Sequence, residues 1–229
     1  MCGRYVAPDQ AALERAFHLG RHNWRGVIAR YNVAPSAIVP MIYAPGGAPP
    51  EGELARWGLI PDWWKKDQPP TLSFNARSEE AAGKPMWRGA LRHARCLLPA
   101  LGWYEWNEQE QVLNPAGRKV NRPYFIRCPD EPVVAIAGLW SAWRKPDGDQ
   151  ILSCALLTKA AAPSIGGIHH RMPVVLKPAQ HEAWLAPQSS PEEVAQLVAG
   201  AREDLAGYAV NVGVNNTRND SPELLQPQA

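Results

Sequence analysis

The sequence contains little cysteine: four residues in 229, at positions 2, 96, 128 and 154. No two of them are close together, so the chain has neither the paired ligands of a zinc module nor a redox Cys-x-x-Cys motif. We therefore expect neither a metal nor a cofactor. Cys96 and Cys154 lie in apolar runs, which predicts that both are buried in strands.

The sequence also lacks an excess of charge and a long apolar run. Lys and Arg number 24 against 22 Asp and Glu, so binding to nucleic acid would require a local basic patch. No apolar run reaches the length of a membrane span, and a charged helical pattern begins by Asp9, where a signal peptide would still be apolar. We expect a cytoplasmic protein with free thiols and no membrane partner.

Short apolar runs separated by Pro and Gly dominate what is present. An amphipathic helix is predicted at 8–19, a second helix at 177–185, and a third from Ser190, where a capping box precedes Pro191. Strands are predicted at 37–43, 53–60, 95–106, 123–127, 133–143, 151–158, 172–176 and 208–214, and an exposed hairpin loop at 108–122. Because strands outnumber helices and do not alternate with them, we predict one α+β domain over 1–229, with a mostly antiparallel, barrel-like core and a few flanking helices.

The chain begins Met1-Cys2-Gly3-Arg4, and this start offers unusual chemistry. Removal of Met1 would leave Cys2 with a thiol and an α-amine two carbons apart, whose ordinary pKa values are about 8.5 and about 8. The amine can form a Schiff base with an aldehyde or act as a base for its own thiol. A thiol beside a Schiff base can close on it to give a thiazolidine, which an interior cysteine cannot do.

Two further segments hold polar residues suited to proton transfer. Glu105 lies among aromatic residues in Gly-Trp-Tyr-Glu-Trp, where partial desolvation would suit general acid–base work, although a solvated strand position is the simpler alternative. His169 and His170 follow two glycines in a segment that could approach a ligand closely or could be a plain surface loop.

A third and a fourth segment could contact nucleic acid. Asn75 and Arg77 follow an apolar residue just before a predicted helical turn, where Asn is also a common local hydrogen-bonding residue. Trp63 and Trp64 precede two lysines, a combination that could stack on bases and hold phosphates. The alternative is one core tryptophan beside solvated lysines.

Together these segments resemble the SRAP (SOS-response-associated peptidase) family, whose members shield abasic sites in DNA. The resemblance rests on MCGR at the start, RYNVAP (30–35), RWGLIPDWW (56–64), NARSE (75–79), GWYEW (102–106), the T-x-A-A stretch from Thr158, IHHRMPVVL (168–176) and ELLQP (223–227). It spans nearly the whole chain. One departure is His170, which stands where other members often have an acidic residue.

The resemblance implies a role for each matching residue. Cys2 would crosslink to the ring-opened abasic sugar, and the polar set of the active site would be Asn75, Glu105 and His169. The DNA-binding residues would be Arg4, Trp63, Trp64, Arg77, Thr158 and Arg171, with the arginines on phosphates and the tryptophans as a wedge. The partner would be single-stranded DNA containing abasic sites, including junctions with double-stranded DNA, bound by a monomer associated with the nucleoid. Lyase activity, which cuts the DNA strand, would occur when the abasic site is not trapped as a crosslink. The peptidase activity would remove Met1.

Two other classes of function remain open from the sequence. Class II glutamine amidotransferases also begin Met-Cys-Gly and use the amine as base for the thiol, so an N-terminal-nucleophile amidohydrolase is the main alternative. A non-catalytic single-strand binder, in which Cys2 is incidental, is the other.

Overall fold

Strands are the predominant regular structure in residues 2–70, 73–145 and 148–228, which are those that the computed structural model describes. The strands are β1 (Tyr5–Ala7), β2 (Arg30–Val33), β3 (Ile38–Tyr43), β4 (Glu51–Trp57), β5 (Asn75–Arg77), β6 (Arg95–Ala100), β7 (Gly102–Leu113), β8 (Lys119–Arg127), β9 (Val134–Arg144), β10 (Gln150–Ala160), β11 (Arg171–Pro173), β12 (Val175–Leu176) and β13 (Ala206–Ala209). The helices are α1 (Gln10–Ala16), α2 (Ser78–Ala81), α3 (Pro85–His93), α4 (His181–Leu185) and α5 (Pro191–Ala199).

Five strands close into a barrel in the order β10, β4, β3, β6, β9 and back to β10. The barrel is mixed, because β10 runs parallel to β4 and then to β5, whereas the other pairings are antiparallel. Short β11 and β12 extend β10 and β9. A second, antiparallel sheet has the order β13, β8, β7, β1, β2. The expected α+β class with a barrel-like, mostly antiparallel core is confirmed.

The barrel strands bury both of their faces. One face carries Cys96, Cys154 and Trp57. It packs together with Trp103 of the second sheet and with Cys2, which precedes that sheet's strand β1. The opposite face packs against the helices, which can lie only outside a closed barrel. The burial expected for Cys96 and Cys154 is confirmed, and all four cysteines are free thiols.

The run predicted as one strand at 95–106 is two strands in different sheets. Gly102 has φ of +152° and lies at the start of β7, where the chain leaves the barrel for the second sheet. A Cβ atom at Gly102 would come within 2.4 Å of the Ile126 carbonyl oxygen and 2.5 Å of the Phe125 ring. Only glycine fits this close approach, so the sheet change depends on it.

The exposed hairpin predicted at 108–122 is present but is mostly strand rather than loop, and the strand predicted at 208–214 is correct only for its first two residues. Strands β7 and β8 continue through most of 108–122, and only a turn closed by Asn114 and Arg118 separates them. Both faces of this ribbon are polar, so the period-two signal of a half-buried strand is missing. In the second case β13 ends at Ala209, and the Asn211 side chain caps a 3-10 turn over Val212–Asn215.

The helices follow their capping signals more closely than their apolar patterns. The Ser190 capping box starts α5 as predicted, whereas α1 is shorter than the predicted 8–19 because Asp9 caps it and Phe17 ends it. Helix α3 was not predicted. Within the described residues, no helix is long and apolar enough to cross a membrane.

Candidate active site around Cys2

Strand pairing brings Cys2 to Glu105. Tyr5 of β1 pairs with Trp103 of β7 in an antiparallel register, and the Tyr104 amide donates to the Arg4 carbonyl oxygen. Continuing this register toward the N-terminus places Gly3 opposite Glu105, and Cys2 precedes it, outside β1. The thiol of Cys2 is hydrogen-bonded to the Glu105 carboxylate. Cys2 is 1% exposed and Glu105 2%, so the contact is shielded from solvent, and the solvated alternative for Glu105 is wrong.

Asn75 holds the backbone of Cys2. Its Nδ2 donates to the Cys2 carbonyl oxygen at 2.9 Å, and its Oδ1 is buried without a hydrogen-bond partner among the described residues. Strand β5 fixes Asn75 by pairing it with Leu156 of β10. An acceptor without a partner is costly to bury, so Oδ1 is poised to accept from a group that enters the site.

His169 approaches Glu105 from the other side. Its Nε2 lies 3.7 Å from Glu105 Oε2, and its Nδ1 lies 3.0 Å from both the backbone nitrogen and the backbone oxygen of Arg171. The segment before it is tied to β7, because Asn107 Nδ2 donates to the Gly167 carbonyl oxygen at 3.1 Å. His170 is exposed and stacks on His169 with ring centroids 4.4 Å apart.

Burial controls the ionisation of the Cys2 thiol. Desolvation, followed by the charge and hydrogen bond of Glu105, raises the pKa of Cys2 well above its ordinary value. The thiol is therefore neutral in the folded protein and donates its proton toward Glu105. The ordinary thiol pKa of about 8.5 therefore does not hold in this environment, and Glu105 is placed to take the proton when the sulfur reacts.

Arg171 is held by an ion pair beside this site. Its guanidinium forms a bidentate pair with Glu79, with NH1 at 2.7 Å from Oε1 and NH2 at 3.0 Å from Oε2. The same NH2 donates to the carbonyl oxygen of Thr158 at 2.9 Å and to its hydroxyl at 3.2 Å. Thr158 is fully buried, so it can reach DNA only through Arg171. No local pattern in the sequence points to Glu79.

Arg4 and Arg77 differ in accessibility. Arg4 NH1 donates to Asn32 Oδ1 at 3.0 Å and to the Val214 carbonyl oxygen at 2.8 Å, which ties the segment after Cys2 to the C-terminal turn. Burial lowers the pKa of Arg4 from its usual value. Arg77 is exposed, and its nearest carboxylate is Glu80 at 3.5 Å.

Trp63 lines a cavity whose lining does not include Trp64 or Cys2. Trp63 is 49% exposed and, with Met86 and Trp140, lines this cavity of about 370 Å³ beside α3. Trp64 is partly buried, its Nε1 donates to the Gln68 carbonyl oxygen at 2.8 Å, and its own carbonyl oxygen accepts from Trp143 Nε1. Of the two rings, that of Trp63 is the more available for stacking.

The described residues contain one cluster with the composition of a metal site: Cys128, Asp130 and Asp204, whose ligand atoms lie within 4.8 Å of one another. Arg202 already supplies the positive charge there. Its NH2 lies 2.9 Å from Asp130 and 2.5 Å from Asp204, and its NH1 pairs with Glu131. The cluster is a structural ion-pair network.

The chain belongs to the SOS response associated peptidase (SRAP) family, whose family model matches residues 1–217.

Among individual proteins, the chain is similar to Abasic site processing protein YoqW of Bacillus subtilis, with 35% identity over 198 residues, 86% of this chain and 85% of that protein. It is also similar to Abasic site processing protein YedK of Escherichia coli, with 30% identity over 236 residues, 99% of this chain and all of that protein. A crystal structure of a protein from Bacteroides thetaiotaomicron has the same fold, with a TM-score of 0.83 and 24% identity over the full length of both chains.

Proposed function

We propose that this protein processes abasic sites in single-stranded DNA by forming a covalent crosslink through Cys2. The names of its relatives supply the class of substrate. The observation that carries the mechanism is the buried contact network in which Glu105 lies against both the Cys2 thiol and His169. An N-proximal cysteine needs proton acceptors and donors of this kind to react with a sugar aldehyde.

The reaction begins with maturation of the N-terminus. Met1 lies outside the described residues, and hydrolysis of the Met1–Cys2 peptide bond consumes one water and frees the α-amine of Cys2. The abasic deoxyribose is mostly a closed hemiacetal, so a group must move a proton from its C1′ hydroxyl to its ring oxygen to release the aldehyde. Glu105 and His169 are the pair proposed for this step.

Two bond-forming steps then join protein and DNA. The α-amine adds to the C1′ aldehyde and loses water to give an imine. The Cys2 sulfur adds to the imine carbon while its proton passes to Glu105, the imine nitrogen becomes a secondary amine by taking a proton, and the thiazolidine ring closes. Asn75 keeps the Cys2 backbone in place through its 2.9 Å hydrogen bond. If β-elimination outruns ring closure, the DNA strand is cut and lyase activity results.

DNA engagement is proposed for residues that lie outside this network. Arg4, Arg77 and Arg171 would contact phosphates, with Thr158 acting through Arg171, and Trp63 would stack on a base beside the lesion. Single strands and junctions suit this arrangement because no partner base blocks the abasic sugar. The protein would act as a monomer at the nucleoid.

Denaturing electrophoresis with a uracil-containing single-stranded oligonucleotide tests the proposal. Prior removal of uracil by a glycosylase creates the abasic site, and a heat-stable shifted band is expected only then. A glutaminase assay on the same preparation addresses the amidohydrolase alternative. Glutamine hydrolysis without any band on abasic DNA would contradict the proposed function.

A further inference from the structure

The bidentate pair between Arg171 and Glu79 has the geometry that an arginine uses to bind a phosphate. Both partners offer two atoms, and the two contacts are 2.7 and 3.0 Å long. Glu79 accepts hydrogen bonds from both terminal nitrogens of the guanidinium. NH2 also donates to the carbonyl oxygen and the hydroxyl of Thr158. Arg171 is only 12% exposed, whereas the Glu79 side chain is 51% exposed.

We propose that Glu79 occupies the phosphate position at Arg171 and lowers the affinity of the protein for DNA until a backbone phosphate displaces it. This inference rests on the proposed function and adds the residue that sets DNA affinity at the same site. Thr158 keeps the guanidinium in place during the exchange, because its two contacts with NH2 come from a fully buried strand residue.

The exchange is physically reasonable because the Glu79 side chain is half exposed. When Glu79 leaves Arg171, water can solvate its carboxylate, and the phosphate restores the charge contact that the mostly buried guanidinium loses. The strong local attraction is still evident, since the hydrogen bonds from Arg171 are the largest cause that lowers the pKa of Glu79 from its ordinary value. A carboxylate that is both ionised at neutral pH and accessible is a suitable competitor for phosphate.

Replacement of Glu79 by a phosphate would also affect the active site. The backbone N–H of Arg171 lies 3.0 Å from Nδ1 of His169, so the residue that binds the phosphate also orients the imidazole near Glu105. A lower affinity for undamaged DNA would leave the protein free to search for abasic sites.

The test measures equilibrium binding of an undamaged, fluorescein-labelled single-stranded oligonucleotide by anisotropy at low salt. Glu79→Gln removes the negative charge while keeping the shape, and roughly fivefold tighter binding is expected. Glu79→Asp keeps the charge and should stay near the parent. Glu203→Gln is the matched control. Glu203 is likewise half exposed, and its carboxylate lies 3.0 Å from the ammonium group of Lys159, the residue after Thr158 in β10. It should change binding little.

A double-mutant cycle with Arg171→Gln tests whether Arg171 is the residue that binds the phosphate. The gain from Glu79→Gln should vanish in the Arg171→Gln background. The inference is overturned if Glu79→Gln binds no more tightly than the parent, if Glu203→Gln gives an equal gain, or if the gain persists without Arg171. Failure of the parent protein to bind single-stranded DNA would instead overturn the proposed function together with this inference. A merely structural role for Glu79 predicts weaker binding, which is opposite in sign.

Discussion

His169 Nε2 and Glu105 Oε2 lie 3.7 Å apart, with both side chains almost completely buried. Glu105 also accepts the hydrogen bond of the Cys2 thiol, so one carboxylate faces both the thiol and the imidazole. Because water is largely excluded, proton movement among these three groups is confined to the protein and the bound substrate.

Replacing Glu105 tests this arrangement. Glu105→Gln keeps the size and removes the proton acceptor, so crosslinking to abasic DNA should slow by on the order of 10²-fold. The measurement is the single-turnover rate from a time course on denaturing gels. Glu108→Gln is the control, because Glu108 lies on the same strand but is exposed. A Glu105→Gln rate equal to that of the Glu108→Gln control would contradict the assignment, provided that thermal melting shows both variants folded.

The two neighbouring tryptophans should respond differently to truncation. Trp63→Ala should weaken binding to single-stranded DNA by about 1–3 kcal/mol with a nearly unchanged salt slope, because stacking releases no counterions. Trp64→Ala should instead lower stability, because its ring is partly buried and its Nε1 hydrogen bond to the Gln68 carbonyl oxygen is lost. Salt titrations of anisotropy and thermal melting of both variants separate the two effects. Parent-like binding by Trp63→Ala would show that the exposed ring does not stack on DNA.

Alkaline pH should destabilise the protein through its buried thiols. Burial, with a further contribution from Cys154, raises the pKa of Cys96 well above its ordinary value. Above about pH 8.5 the unfolded thiol loses its proton while the folded one keeps it, so the free energy of unfolding falls as pH rises. Below that pH both states hold the proton and this contribution is fully present.

Cys96→Ala isolates the contribution of this thiol while leaving Cys2 unchanged. The variant should lose about 1 kcal/mol of stability at pH 7.5, because a small cavity replaces the sulfur. Between pH 8.5 and 10, the free energy of unfolding of the variant should fall less steeply than that of the parent. The two slopes should differ by up to about 1.4 kcal/mol per pH unit. Urea unfolding at several pH values measures both quantities. Parallel stability curves for parent and variant would contradict the pKa direction.

The core strands could be predicted from the sequence because their apolar runs are dense and bounded by Pro and Gly. The sheet change at Gly102 could not, since it depends on a close approach to Ile126 that comes from distant pairing. The polar ribbon at 108–122 was missed for the opposite reason: it is held by cross-strand pairing without a buried face to give an alternating pattern.

Some residues of the candidate site could likewise be predicted from the sequence, and others could not. Cys2, Asn75, Glu105 and His169 stand out as polar residues in unusual local contexts, and the structure brings them together. The partners of these residues gave no comparable signal. Glu79 looks like any acidic residue in a first helical turn, and its pairing with Arg171 joins positions 92 residues apart. The raised thiol pKa of Cys2 likewise arises from tertiary burial, which no local motif encodes.

The central claim is that Cys2 forms the covalent bond, and intact-mass spectrometry of the crosslink tests it most directly. The parent protein, incubated with an abasic single-stranded oligonucleotide and then heated, should give one species. Its mass should equal the chain without Met1 plus the oligonucleotide minus one water, because the imine step releases water and the thiol addition does not. Cys2→Ala should give no heat-stable adduct, although its α-amine can still form an imine that borohydride traps. A heat-stable adduct from Cys2→Ala, or a parent adduct that retains Met1, would contradict the account.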